Sequence, residues 1–71
     1  MGEAELREAM RILRKDTLFP EELRRAGVLA VQSGVRINDI TVAIYWIEHG
    51  NQTQAKLTAK RAADAISRFI R

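Results

Sequence analysis

Three residues punctuate this chain more firmly than anything else in it: Pro20, Gly34 and Gly50. Proline lacks a backbone N–H and holds the residue before it in extended conformations, so Asp16-Thr17-Leu18-Phe19-Pro20 ends one helix and Pro20 opens the next. Glycine takes the left-handed conformation that closes a helix, which Ser33-Gly34 and Gly50 offer. The stretches between these stops carry apolar residues at helical spacing. From Glu3 to Lys15, Leu6, Ala9, Met10 and Leu13 recur on one face, while Arg7, Arg11, Arg14 and Lys15 occupy others. Pro20 to Gln32 predicts a second helix, with Glu21 and Glu22 near its positive end. A third is expected from a cap at Asn38 or Asp39 to about His49. Asn51 to Arg71 predicts one long amphipathic helix, in which Ala55, Ala59, Ala62, Ile66 and Phe69 alternate at spacings of four and three.

The third segment leaves an alternative open. Ile40 to Ile47 is rich in β-branched and aromatic residues, which suit a strand, but helix punctuation flanks it and no hairpin partner is marked. A helix so apolar on nearly every side is central or lies at an interface. The expected fold is therefore all-α: one domain over residues 1–71, of three or four helices, with a long basic amphipathic carboxy-terminal helix. At 71 residues there is no room for a second domain, and most enzyme folds are excluded. A chain this short buries only about 60% of its unfolded surface, and without cysteine no disulfide can staple it. A second copy is the remaining source of stability. A homodimer is expected, held by the third helix and by the Ala55, Ala59, Ala62, Ile66 and Phe69 stripe.

The chemistry of sites offers little. His49 is the only histidine, expected to interact with the last carbonyls of its helix, and neither Ser33 nor Ser67 has a nucleophile's setting. No ligand spacing for a metal and no phosphate-loop glycine pattern is present, so neither an enzyme nor a cofactor is expected. The acidic start Met-Gly-Glu-Ala-Glu lacks the basic and apolar regions of an export signal, and Leu6 stands where myristoylation wants Ser or Thr. The longest apolar run, Val42 to Ile47, has six residues where a membrane span needs roughly 20. A cytoplasmic protein without membrane contact is expected.

Charge is informative by its distribution. Residues 1–50 carry a net −1 and residues 51–71 a net +4. On a helical wheel Lys56, Lys60, Arg61, Arg68 and Arg71 share an arc of roughly 140° opposite the apolar stripe, interrupted by Leu57 and Asp64. Such an arc suits phosphates, or is simply a solvated face.

The most specific local pattern is Leu29-Ala30-Val31-Gln32-Ser33-Gly34-Val35, followed by Ile40. A helix-turn-helix needs a small residue where its helices cross, a glycine at the turn and apolar residues filling the angle, which Ala30, Gly34, Val35 and Ile40 supply. The stretch resembles the helix-turn-helix of Cro/repressor-like and MerR-like regulators. That resemblance implies a second helix from Pro20 to Gln32, a recognition helix starting near Ile37 and DNA as partner; taken together with the basic arc it makes Arg36, Asn38 and Thr41 the base-edge candidates and puts Lys56, Lys60, Arg61, Arg68 and Arg71 on phosphates. In place of the capping Ser or Thr usual after the turn stand Arg36 and Ile37. A competing match, Gly50-Asn51-Gln52-Thr53-Gln54-Ala55, resembles the start of the Fis-family helix-turn-helix, although Ala59-Lys60-Arg61 replaces its glycine turn and argues for a continuous helix. The alternative partner is a protein. Val42, Tyr45 and Trp46 would then form the contact face of a small helical adaptor or inhibitor.

Overall fold

The computed structural model describes residues 2–70, with four helices and no strand among them: α1 (Glu3–Leu13), α2 (Pro20–Gln32), α3 (Asn38–Glu48) and α4 (Gln52–Ser67). The strand alternative for Ile40 to Ile47 falls away, because every one of those residues is helical. Each helix packs on its chain neighbour and α4 returns to α1, closing a four-helix ring of 35 × 18 × 17 Å.

The punctuation works through backbone geometry. At the end of α2, Gly34 has φ +81°, its N–H donates to the Val31 carbonyl (2.9 Å), and the Val35 N–H reaches the Ala30 carbonyl (2.9 Å). At the end of α3, Gly50 has φ +74°, and the matching bonds run from the Gly50 N–H to Ile47 (3.0 Å) and from the Asn51 N–H to Trp46 (2.8 Å). Both are Schellman closures, which satisfy carbonyls a helix end would otherwise leave unpaired. Pro20 stands at the first position of α2 behind an extended Phe19. Asn51 caps α4, its side-chain oxygen accepting from the Gln54 N–H at 3.0 Å.

Three boundaries differ from expectation. Ile37, not Asn38 or Asp39, is the cap residue of α3, which has no side-chain cap; Asn38 is already helical. The first helix ends at Leu13, with Arg14 in the closing turn, and α4 ends at Ser67, so Phe69 lies past it and is 61% exposed.

The core consists of sixteen buried apolar residues, half of them alanine. Ile12, Leu13, Leu18, Leu23 and Ile66 supply the bulk, each contributing about 1.5–3 kcal/mol by leaving water. Leu18 is on the loop between α1 and α2, and Gln52 clamps it there: the Gln52 amide donates to the Leu18 carbonyl (3.0 Å) and accepts from its N–H (3.4 Å). Ala55, Ala59, Ala62, Ala63 and Ile66 are fully buried within this one chain. The expected use of Ala59, Ala62 and Ile66 as a dimer seam is thereby corrected. The methyl groups of Ala59 and Ala62 and the larger side chain of Ile66 fill the ring's own interior and leave nothing for a second copy to cover.

Candidate nucleic-acid interface

Ion pairing sorts the cations into two groups. On α1, Arg7 pairs with Glu3 (3.3 Å) and Arg11 with Glu8, while Lys15 beyond it reaches Glu22 of α2 (2.8 Å). The Arg11 guanidinium, hydrogen-bonded to Glu8, holds that carboxyl below the usual carboxylate range and is itself raised by it. Arg24 of α2 pairs with Glu48 of α3 at 2.9 Å. On α4 the pattern changes. Lys56, Lys60, Arg61 and Arg68 are all exposed, and none of them has a carboxylate partner among the described residues. Asp64, the one acid on this helix, faces Arg14 of α1 at 3.5 Å, so the interruption it makes in the basic arc is largely offset.

Tertiary packing divides that arc. Lys56 and Lys60, with Thr53 and Leu57, form one wall of a cleft of about 430 Å³, and Leu13, Arg14, Lys15 and Asp16 form the other. Arg61 and Arg68 lie outside the cleft, and Arg71 lies outside the described residues. Arg14 and Lys15 were not singled out from the sequence. Their signal was present in the cationic end of the first helix, but the chain alone does not say that this end packs beside Lys56.

The α2–α3 corner has a close-packed inner angle: Ala30, Val35 and Ile40 are buried at 1%, 4% and 3% exposure, around the left-handed Gly34. Arg36, Asn38 and Thr41 are exposed, but they share the rim of an apolar groove with Val28, Val31, Ile37 and Ile44. No turn interrupts α4 at Ala59-Lys60-Arg61, so the two helices of the Fis-like match do not form there.

The expected aromatic face of α3 is smaller than its sequence suggests. Val42 and Tyr45 are exposed, at 37% and 51%, whereas Trp46 is half-buried and packs against the core, edge-on to Tyr45 with ring centroids 5.2 Å apart. His49 lies over Tyr45, and its Nδ1 is 2.8 Å from the Tyr45 carbonyl, the helix-end contact expected of it. No group of three or more metal-ligating side chains occurs among the described residues, and none of their helices is long and apolar enough to cross a membrane. No protein-family profile, curated protein or solved structure is significantly similar to this chain.

Proposed function

We propose that the protein is a small DNA-binding regulator whose α4 contacts the phosphate backbone. The observation that carries this reading is the concentration of unpaired charge along α4 and its cap: Lys56, Lys60, Arg61 and the capping Arg68 are exposed without carboxylate partners among the described residues, while the cations of α1 are tied to acids and only Arg25 and Arg36 stand unpaired elsewhere. Unpaired surface cations attract a polyanion and release its counterions on contact, which gives affinity with a steep salt dependence. Across the cleft stand Arg14 and Lys15, each already paired with an acid, Asp64 and Glu22, so the free charge lies on the α4 side. The tight angle around Ala30, Gly34 and Ile40 supports a helix-turn-helix-like corner in this reading, with Arg36, Asn38 and Thr41 as its base-edge contacts.

Fluorescence anisotropy of a labelled random duplex, titrated at several salt concentrations, tests the reading. Binding is expected to weaken steeply with salt, and the Lys60→Ala/Arg61→Ala variant to lower the slope of log K against log salt by about 2. No binding at low salt overturns the proposal, and an unchanged slope removes these two residues from the contact.

A further inference from the structure

We propose that the groove between α2 and α3 docks an acidic amphipathic helix of a partner protein. It encloses about 740 Å³, and no residue of α1 or α4 lines it. Val28 and Val31, one turn apart on α2, are 55% and 53% exposed, and face Ile37, Ile40 and Ile44 across the groove. Gly27 keeps the floor open: a Cβ there would meet only Ile40 Cγ2, at 3.5 Å. Water-facing valines beside the half-buried Ile37 and Ile44 form the kind of apolar surface that a soluble chain keeps for a partner.

The rim decides the partner's charge. Arg24 and Arg36 line the groove, Arg24 paired with Glu48 and Arg36 without a carboxylate partner among the described residues, and no Asp or Glu lines it. An occupant needs an apolar ridge flanked by carboxylates. A helix supplies that shape, because residues at i, i+3, i+4 and i+7 form one ridge that seats between two helices. The α2 wall from Arg24 to Gln32 rises about 12 Å, enough for roughly two turns of such a ridge. A floor of valine and isoleucine offers a phosphate backbone nothing, so the DNA contacts proposed above are confined to Arg36, Asn38 and Thr41 and leave the apolar surface uncovered. A symmetric second copy fits poorly as well, since it would bring the unpaired Arg36 against a groove that no Asp or Glu lines.

The probes are two synthetic helical peptides of about 16 residues with leucine at those ridge positions, one flanked by glutamate and the other by lysine. Binding is read by anisotropy without DNA, so the outcome is independent of the phosphate contacts tested at Lys60 and Arg61. The glutamate peptide is expected to bind at least about tenfold more tightly than the lysine peptide. Val28→Glu/Val31→Glu is expected to abolish its binding, and Arg36→Glu to reverse the charge preference while leaving the apolar floor intact. Failure of both peptides to bind, equal binding of the two, or indifference to Arg36→Glu overturns the proposal. Light scattering run alongside gives one further outcome: self-association lost in Val28→Glu/Val31→Glu would assign the groove to a second copy and overturn the partner named here.

Discussion

Helices α3 and α4 sit side by side and use their sequences in opposite ways. The first, Asn38–Glu48, is apolar on nearly every side, yet only Ile40 and Ala43 are fully buried. The second, Gln52–Ser67, carries three cations, yet six of its residues are buried: Ala55, Thr58, Ala59, Ala62, Ala63 and Ile66. What separates them is phase and size rather than hydrophobicity. Alanines recurring every three or four residues make a smooth stripe that neighbouring helices can approach closely, whereas a helix with bulky side chains on all faces must leave some of them outside. Even the one buried hydroxyl of α4 is satisfied locally, Thr58 donating to the Gln54 carbonyl at 2.8 Å.

The largest effect that would break this contrast is on the inner face of α4. Ile66→Ala should cost about 2–5 kcal/mol in chemical denaturation, since Ile66 is completely buried. Val42→Ala on α3 should cost less than about 1 kcal/mol, because that side chain already meets water. Equal losses would mean that α3 is the covered helix, as its sequence suggests. A middling effect is expected at the junction between them. Gly50→Ala meets no steric obstacle, so its cost is the left-handed backbone alone, roughly 1–2 kcal/mol, and Gly34→Ala should match it. The smallest effect should come from the outer face of α4. Lys60→Ala/Arg61→Ala should leave stability within about 0.5 kcal/mol, since neither side chain is buried or paired. A larger loss would tie the basic face to folding and weaken its reading as a surface kept for phosphates.

The helices themselves were legible because their stops are chemical. Pro20 cannot accept a helix before it, and Gly34 and Gly50 take up the left-handed backbone wherever the chain offers them a closure. Part of the site was legible on the same terms: a wheel places Lys56, Lys60, Arg61 and Arg68 away from the alanine stripe, and all four are exposed. The partner of the stripe was not legible. A row of Ala59, Ala62 and Ile66 reads identically whether another helix of the same chain or a second copy covers it.

Local chemistry therefore determined, from the residues alone, the stops at Pro20, Gly34 and Gly50 and the apolar faces of the helices between them, because proline geometry, glycine closure and side-chain period act within a few residues of one another. Tertiary structure alone decided which apolar faces meet. It put α4 against α1 and α3, brought Arg14 and Lys15 beside Lys56, gave Asp64 to Arg14, and left Val28 and Val31 uncovered. Those outcomes depend on helix-to-helix packing between residues far apart in the chain, where burial is a property of the whole ring and no single segment carries it.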